Sequence, residues 1–530
     1  MWTRPPHPAA GGHFKNVKMQ RNHSLWDSFL RNAAIRGDES AFCFEDSRLT
    51  HSELIARGRT YAGELSHCGV EPGDRIAIIC DAREEFFLVL SAAACLGAIL
   101  VPLNWRLSRA EIGAILDDCA PKLLFADTSY GHLLDGRAER LIVLPADRQS
   151  REEFAARFDA GPVDRDGSGN ADAPVVILYT AAHDGEQRGA VISQANLVAS
   201  SVQMNLALGF DENDVFLGNL PFFHMMALAL ALGVNFAGGS TVVRPRFDAA
   251  EAAELVDTER VTLIGTFPPM LSSLLDEREH KVRDFRSLRF CMGLDAAPTI
   301  ERFEASCPDA AFWSIYGQTE TTGNVTYGLW RDRPGTAGRV AALTTLAILD
   351  QADRPLDDGE IGEIAVRGPT VFQGYWGRDE ENAFVTRNGW HHTGDQGRLN
   401  DGWLSYHARA PHKQLIKTGG ENVYPAEVET VLASHPAIRS AVVFGIPDER
   451  WGESIVAICE ADSPVEDHAV KEFVAQRLAR YKRPRILMVA DGFPTHANGS
   501  VDREEVKLRF LRSQQVQMPA DTFQDLQRKG

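Results

Sequence analysis

The chain has 530 residues, of which 44% are hydrophobic and 24% are charged, and its formal net charge is -18. A chain of this length exceeds what a single hydrophobic core usually supports, so we expect two or more domains. The excess of acidic residues argues against nucleic acid or an anionic membrane surface as the main partner. It leaves small substrates open, because a local basic site can exist on an acidic protein.

The first segment is predicted to be a disordered leader. Residues 1–22 contain proline, glycine and histidine and lack the apolar core of a signal peptide. The eight cysteines are scattered along the chain without a CxxC pair. That usage is typical of a reducing compartment and predicts a cytoplasmic protein.

Two uncharged stretches resemble membrane spans in length alone. Residues 86–103 are rich in alanine and end in a Val-Pro-Leu sequence, which favours a buried helix that runs into a core strand. Residues 225–239 contain Gly233 and Asn235 and are interpreted in the same way. We therefore predict no membrane anchor.

Short apolar runs alternate with amphipathic, helix-like segments over most of the chain. Such runs at residues 75–79, 122–125, 175–179 and 261–264 predict α/β layers with largely parallel strands. Further on, the run at residues 359–366 and its flanking turns predict a small antiparallel β subdomain.

The last hundred or so residues before the tail predict a compact α+β domain. Its expected helices lie at residues 425–434 and 470–478, and its expected strands at residues 440–444 and 454–459. The predicted division is an N-terminal domain at residues 23–408, a hinge at 409–414, a C-terminal domain at 415–515 and a frayed tail at 516–530.

Four sequence motifs occur in the same order as in one known superfamily. They are residues 69–75 (Gly-Val-Glu-Pro-Gly-Asp-Arg) with 101–104 (Val-Pro-Leu-Asn), residues 316–320 (Tyr-Gly-Gln-Thr-Glu), residues 389–395 (Gly-Trp-His-His-Thr-Gly-Asp), and residues 417–429 (Lys-Thr-Gly-Gly-Glu-Asn-Val-Tyr-Pro-Ala-Glu-Val-Glu). Each motif is weak alone, but together they resemble the ANL superfamily of acyl-CoA synthetases, adenylation domains and luciferases. The resemblance implies an α/β fold with a large N-terminal domain of parallel sheets, a β subdomain and a small mobile α+β C-terminal domain. It also implies coenzyme A and an acyl-adenylate as ligands.

The resemblance assigns an AMP site. It implies that Tyr316 stacks on the adenine and that Asp395 and Arg409 bond the ribose, where a carboxylate makes charge-assisted hydrogen bonds. Thr319 contacts the phosphate, and Glu320 holds magnesium through an oxygen ligand. The alternative is a purely structural role: a turn residue for Asp395 and a strand end for Tyr316. The residues assigned to AMP are Asp295, Ala296, Ala297, Pro298, Tyr316, Gly317, Gln318, Thr319, Asp395 and Arg409.

The resemblance also assigns an acyl pocket and a coenzyme A channel. The acyl pocket residues are Phe223, His224, Phe267, Met292, Gly293, Thr321 and Gly323. None of them is acidic or basic apart from the histidine, so we expect a bulky apolar acid in a roomy cavity. A core histidine is the alternative for His224. The coenzyme A residues are Gly419, Gly420, Glu421, Lys482 and Arg483, although an ordinary hairpin turn and a solvated basic pair are the alternatives.

Two features of the family are lost. Its phosphate loop, rich in Ser, Thr and Gly, reads here Thr-Ala-Ala-His-Asp-Gly-Glu-Gln-Arg-Gly-Ala at residues 180–190, with two acids where a polyanion lies. The predicted degenerate loop comprises Thr180, His183, Asp184, Gly185 and Arg188. In addition, Ser500 stands where the family has the lysine that supports adenylate formation. Residues 409–414 replace the common hinge, which leaves the pivot residue open.

These losses predict a division of labour, and they resemble those of non-adenylating CoA ligases of diterpenoid (platensimycin and platencin) natural-product biosynthesis. Such an enzyme takes an acyl-adenylate made by a separate adenylating enzyme, transfers the acyl group to coenzyme A and releases AMP. Two alternatives stay open: a complete ATP-dependent acid–CoA ligase in which Arg188 covers for the lost lysines, and a non-catalytic protein that binds a nucleotide or acyl ligand. The oligomeric state is not predicted.

Overall fold

A computed structural model describes residues 23–45, 47–134, 141–145, 161–163, 170–181, 186–409, 415–448, 451–462, 465–496 and 501–515. The predicted leader at 1–22 and tail at 516–530 lie outside these ranges, as do residues 410–414 of the predicted hinge.

The strands of the described residues are β1 (Ser40–Cys43), β2 (Arg48–Thr50), β3 (Arg75–Ile79), β4 (Ile99–Pro102), β5 (Leu123–Asp127), β6 (Leu141–Leu144), β7 (Pro174–Ala181), β8 (Gln187–Ser193), β9 (Val215–Gly218), β10 (Ser240–Val243), β11 (Leu263–Thr266), β12 (Phe290–Gly293), β13 (Ala311–Gln318), β14 (Gly323–Leu329), β15 (Arg339–Val340), β16 (Thr345–Leu349), β17 (Gly362–Arg367), β18 (His391–Asn400), β19 (Trp403–Arg409), β20 (Ile416–Thr418), β21 (Glu421–Val423), β22 (Ile438–Asp448), β23 (Gly452–Ala461) and β24 (Ile486–Ala490).

The α-helices of the same residues are α1 (Leu25–Arg36), α2 (His51–His67), α3 (Glu84–Leu96), α4 (Arg109–Cys119), α5 (Gln194–Leu208), α6 (Met225–Phe236), α7 (Ala249–Thr258), α8 (Met270–Lys281), α9 (Ala297–Ser306), α10 (Asp379–Val385), α11 (Pro425–Ala433), α12 (Asp467–Ala475) and α13 (Arg503–Gln515).

Two large sheets build the N-terminal part and confirm the predicted α/β fold. The six-stranded sheet has the order β6-β5-β3-β4-β7-β8 and is parallel except at the β7/β8 pair. The thirteen-stranded sheet has the order β16-β17-β18-β19-β15-β14-β13-β12-β11-β9-β10-β1-β2. Its central strands from β13 to β1 are parallel, as the alternation of helices and strands predicts.

The two uncharged stretches form core elements, as predicted. Every residue of α3 is buried, and the helix ends at Gly97, whose left-handed conformation lets the chain turn directly into β4. The second stretch forms α6, which is buried along most of its length. Among the described residues, none of the helices combines the length and apolar character that crossing a bilayer requires.

The antiparallel strands after residue 340 do not form a separate sheet. β14 pairs with β13, and β15 links β14 to β19, so that β16–β19 extend the large parallel sheet at one edge. This continuity matters for the site, because it brings residues of β18 beside the end of β13.

The described residues from 415 onwards form a five-stranded sheet with helices on both faces. One apolar cluster packs β20–β23 against α11 and α12, and a second packs the opposite face against α13. The hairpin β22/β23 is longer than the predicted strands at 440–444 and 454–459, because the pairing continues to its turn. The helix expected at 470–478 lies at residues 467–475.

Candidate active site

The N-terminal domain and the small domain enclose one large cavity of about 1420 Å³. Its walls include the ends of β13 and β18, the loop between β9 and α6, and the turn between β20 and β21. Residues from all four predicted motif regions therefore meet at this cavity. The first region contributes only Pro102 and Asn104.

At one end of the cavity Tyr316 and Asp395 lie in contact. The Tyr316 hydroxyl donates to Asp395 Oδ2 over 2.8 Å, and Gln318 Nε2 donates to the same oxygen over 2.7 Å. Asp395 is only 2% exposed, but it lines the cavity together with Tyr316 and Gln318. An aromatic face beside an anchored carboxylate is the pair of groups that a nucleoside needs for its base and ribose.

The other residues predicted for AMP divide into two groups. Gly317, Thr319 and Asp295 line the same end of the cavity, and burial raises the pKa of Asp295. Residues 296–298 are exposed at the start of α9 and are not among the lining residues, so the structure does not bring their side chains to the site. Arg409 lies opposite Asp395 in the register of β18 and β19.

Glu320 lies in the wall next to Thr319, where a phosphate-bound cation is predicted. The Tyr375 hydroxyl donates to Glu320 Oε1 over 2.8 Å, and burial together with the Glu320 charge raises the pKa of Tyr375, so the hydroxyl stays a donor. Among the described residues there is no group of three or more ligating side chains that could hold a metal. One carboxylate fits magnesium nevertheless, because this ion takes most of its ligands from phosphate and water.

The acyl pocket is partly as predicted. Phe223, His224, Phe267, Gly293 and Gly323 line the cavity, with Met225, Met226 and Met270 adding flexible apolar surface. Gly293 cannot carry a side chain, since a Cβ there would lie 1.9 Å from the Thr266 carbonyl oxygen.

Two residues predicted for the acyl pocket do not line the cavity. Met292 is fully buried in the largest apolar cluster, because neighbouring residues of a strand face opposite ways and Gly293 takes the cavity side. Thr321 is also fully buried, and its hydroxyl bonds the carbonyl oxygens of Gln318 and Gly323.

The glycine turn of the small domain lies inside the cavity. Gly419 and Gly420 both adopt left-handed conformations, and a Cβ on Gly420 would lie 3.7 Å from the Phe267 ring. Glu421 lies beyond them, with Oε1 at 3.2 Å from His224 Nε2 and in an ion pair with Arg106. Burial alone would raise the pKa of Glu421, but His224 and Arg106 lower it to about 2.

Lys482 and Arg483, which are predicted to contact coenzyme A, have partners within the protein. Lys482 is fully buried and forms ion pairs with Glu111 of α4, over 2.5 Å, and with Glu427 of α11. Arg483 donates to the carbonyl oxygens of Ala475 and Leu478. Neither residue lines the cavity. Lys482 is therefore enclosed by two carboxylates, whereas Arg483 is half-buried and bonds backbone carbonyl oxygens.

The described part of the phosphate loop carries one buried cation, and it is paired. Arg188 is 7% exposed; its Nε donates to Glu381 Oε2 over 2.7 Å, and its Nη1 lies 3.3 Å from Glu186 Oε2. Thr180, Arg188 and Glu381 line the cavity. His183, Asp184 and Gly185 lie outside the described residues.

Ser500 also lies outside the described residues, which resume at Val501. Thr495 pairs with Val501 in an isolated bridge, and Phe493 and Val501 pack on the α13 face of the small domain. None of these three flanking residues lines the cavity.

Several residues of the site escaped the sequence analysis. Arg106, Trp451 and Glu381 all line the cavity. Arg106 stands two residues after the Val-Pro-Leu-Asn motif, and Trp451 stands just before the glycine at the start of β23. Closeness to these features in the sequence is the one signal that could have marked the two residues as part of the site. Glu381 belongs to no motif, and only the structure reveals its contact with Arg188.

Comparisons with known proteins agree with the geometry. Residues 29–376 match the family described as AMP-binding enzyme, and residues 427–500 match the AMP-binding enzyme C-terminal domain. A feruloyl-CoA synthase of Amycolatopsis sp is 32% identical over 92% of this chain and 100% of that protein. An indoleacetate–CoA ligase of Aromatoleum aromaticum is 31% identical over 91% of this chain and 97% of that protein.

Two solved structures of one enzyme differ in their similarity to this chain. The o-succinylbenzoate-CoA synthetase of Bacillus subtilis, as a double mutant with its product analogue, gives a TM-score of 0.83 at 29% identity, covering 92% of this chain and 98% of its own. The same enzyme with its acyl-adenylate intermediate gives 0.68 at 29% identity, covering 92% and 99%. Because sequence identity and coverage are nearly the same, the difference reflects conformation, and this chain has the arrangement closer to the product-analogue complex.

Proposed function

Since the chain belongs to the AMP-binding, or ANL, superfamily and is an acyl-CoA ligase by its relatives, we propose that it performs the thioester-forming half of the ligase reaction. It takes a preformed acyl-adenylate, transfers the acyl group to coenzyme A and releases AMP. A separate adenylating enzyme supplies the acyl-adenylate. This proposal is finer than the shared activity of the relatives and depends on what this chain has lost.

The observation that carries the proposal is the pairing of Arg188. A cation that binds the outer phosphates of ATP must face them without a competing carboxylate, but Arg188 is buried between Glu381 and Glu186. Arg188 was the residue that could cover for the lost lysines. A paired guanidinium offers a polyphosphate little net attraction, because the two carboxylates repel it at similar range.

The sequence supports the same conclusion at two further positions. Ser500 replaces a lysine, and the loop at residues 180–190 has lost most of its hydroxyls. Removing one electrostatic group that stabilises developing charge typically lowers a rate by about 10² to 10³. These losses all affect adenylate formation, whereas the contacts proposed for AMP and for the thiol are retained.

The thioester step needs no nucleophilic side chain of the protein, because the mixed anhydride is already activated. The coenzyme A sulfur attacks the acyl carbonyl carbon and forms the C–S bond, the bond from that carbon to the phosphate oxygen breaks, and AMP leaves with the electron pair. The thiol proton passes to solvent. Tyr316, Asp395 and Thr319 hold the adenylate, and the Gly419-Gly420 turn guides the thiol to the carbonyl beside His224. Magnesium, when bound at Glu320, neutralises phosphate charge.

The proposed acid is aromatic or otherwise bulky and apolar. The relatives include enzymes named for feruloyl and indoleacetate groups. Phe223, Phe267 and three methionines form adaptable apolar walls, and the nearby carboxylate of Glu421 is paired with Arg106. A free dicarboxylate therefore has no cation reserved for its second charge among these residues.

The test compares two ways of supplying the acyl group. One arm contains feruloyl-adenylate, indoleacetyl-adenylate or an adenylate of a polycyclic acid, with coenzyme A. The other contains the free acid, Mg-ATP and coenzyme A. Thioester from the first arm only is the expected result, and equal rates in both arms would overturn the proposal.

The second candidate is a complete ATP-dependent carboxylic acid–CoA ligase. It would share the activity for which the relatives are named, among them a feruloyl-CoA synthase, an indoleacetate–CoA ligase and a 2-succinylbenzoate–CoA ligase. It predicts pyrophosphate release from ATP once the right acid is present. Binding of AMP without thioester in either arm would instead indicate a non-catalytic ligand-binding protein.

A further inference from the structure

Glu381 lines the cavity together with Thr180 and Arg188, the residues of the predicted phosphate loop. We propose that Glu381 is a specificity-determining residue that selects a nucleoside monophosphate ester over a nucleoside triphosphate by holding Arg188. This inference rests on the proposed function, since it explains how the site turns away ATP while it accepts acyl-AMP.

Of the two described carboxylates that pair with Arg188, Glu381 makes the closer contact. Glu381 Oε2 lies 2.7 Å from Arg188 Nε, whereas Glu186 Oε2 lies 3.3 Å from Arg188 Nη1. The Glu381 side chain is 29% exposed, but that of Glu186 is 66% exposed and is also 3.6 Å from Arg378. Water screens the more exposed pair more strongly. Glu381 therefore has the greater effect on what Arg188 can bind.

Glu381 is held in place by its own helix. The next residue, Asn382, accepts from the Tyr375 backbone N–H over 2.6 Å and donates to the Tyr375 carbonyl oxygen over 2.9 Å. These bonds tie α10 to the strand-like segment that enters the cavity at Tyr375. This anchoring fixes the backbone from which the Glu381 carboxylate reaches Arg188.

The charge balance explains selectivity between nucleotides. AMP ends at its phosphate, and acyl-AMP continues from that phosphate into the apolar acyl group, so neither ligand needs a cation for further phosphates. ATP adds two phosphates toward Thr180 and Arg188, and it meets a guanidinium whose charge is already matched. Two anions near one cation repel each other, so ATP gains no net attraction there. Removing the Glu381 charge returns Arg188 to the ligand.

The experiment measures dissociation constants by calorimetry for Mg-ATP and for AMP on the full chain. Glu381→Gln keeps the shape of the side chain and removes its charge. We expect the dissociation constant of ATP to fall at least tenfold and that of AMP to change less than twofold. The double variant Glu381→Gln with Arg188→Gln should lose the gain. An unchanged ATP constant in Glu381→Gln, or an equal change for AMP, would overturn the inference.

Asp379→Asn is the matched control. It removes one negative charge from the first turn of the same helix, but Asp379 is neither a partner of Arg188 nor a residue of the cavity wall. It should leave the ratio of the two constants within twofold of wild type, and a tenfold change would show that general charge rather than Glu381 matters. The binding assay does not depend on turnover, so the two proposals can fail separately. Efficient use of ATP by the wild-type protein would contradict the proposed function. The ratio of the dissociation constants for ATP and AMP tests the role of Glu381.

Discussion

The Glu421 carboxylate lies 3.2 Å from Nε2 of His224, so a residue of the small domain reaches the wall of the acyl pocket in the large domain. Arg106 of the large domain pairs with the same carboxylate. Glu421 therefore connects two parts of the proposed site. One is the Gly419-Gly420 turn, which is proposed to guide the thiol, and the other is His224, which is proposed to flank the carbonyl. It is a positioning residue, because it acts through the geometry of its neighbours.

Glu421→Gln should reduce thioester formation without abolishing it. The amide keeps a hydrogen bond but loses the ion pair with Arg106, so the glycine turn docks less firmly. We expect kcat/KM for coenzyme A to fall by roughly tenfold, which corresponds to about 1.4 kcal/mol. Steady-state kinetics with a saturating acyl-adenylate measure the change.

A double-mutant cycle with Arg106→Gln separates this role from general damage. The two losses should be strongly non-additive, because each variant breaks the same pair. Simple additivity of the two effects would contradict the proposed connection.

The pH dependence of stability should depend on Glu421. Its pKa of about 2 lies below its ordinary value of 4.5, because His224 and Arg106 more than offset burial. A lowered pKa means that the contribution to stability is present above pH 4.5 and is lost as the pH falls toward 2. The contribution is about 3 kcal/mol at most.

Urea unfolding of wild type and Glu421→Gln at a series of pH values measures this contribution. The difference in the free energy of unfolding should be largest near neutral pH and should shrink as the pH falls below about 4.5. Glutamine does not titrate, so the variant supplies the baseline. A difference that stays constant across the series would show that Glu421 does not titrate as its contacts indicate.

The buried triad of Lys482, Glu111 and Glu427 should be the strongest polar link between the domains. Lys482→Met leaves Glu111 and Glu427 without their shared cation in a buried place. Breaking a buried ion pair typically costs about 3–5 kcal/mol. We expect a marked decrease in the free energy of unfolding. Urea unfolding measures this decrease, with hydrogen exchange of the small domain as the probe.

Arg439→Met is the comparison for that variant. Arg439 pairs with Glu460 and Asp462 at the surface of the small domain, and its side chain is 56% exposed. Exposed pairs contribute about 1 kcal/mol or less. If the two variants lost equal stability, the triad would not be the link that its burial implies.

The sequence predicts local features of the site well and long-range partners poorly. Tyr316, Asp395 and the glycine turn belong to short motifs whose chemistry is local, and the structure brings them into one cavity. The burial of Lys482 could not be predicted, because its partner Glu111 stands 371 residues away and no local pattern shows that pairing.

The remaining differences have equally physical causes. Met292 and Gly293 were both predicted to line the pocket, but side-chain direction alternates along a strand, and only the fold decides which of the two meets the cavity. Glu381 could not be found in advance, since an acid in the first turn of a helix is ordinary and becomes informative only beside Arg188.

Ser500→Lys alone should restore little adenylation. A lysine at this position supplies one cation for the step at the α-phosphate, but Arg188 remains held by Glu381, so ATP still binds weakly. Adding Glu381→Gln should raise the rate further, because the two changes act on successive requirements, the binding of ATP and the stabilisation of developing charge. Pyrophosphate release from Mg-ATP with a free aromatic acid measures both variants, and thioester formation from the acyl-adenylate checks that each remains folded. Robust pyrophosphate release by the single Ser500→Lys variant would mean that the phosphate loop binds ATP as it stands, and the electrostatic account of that loop would have to be abandoned.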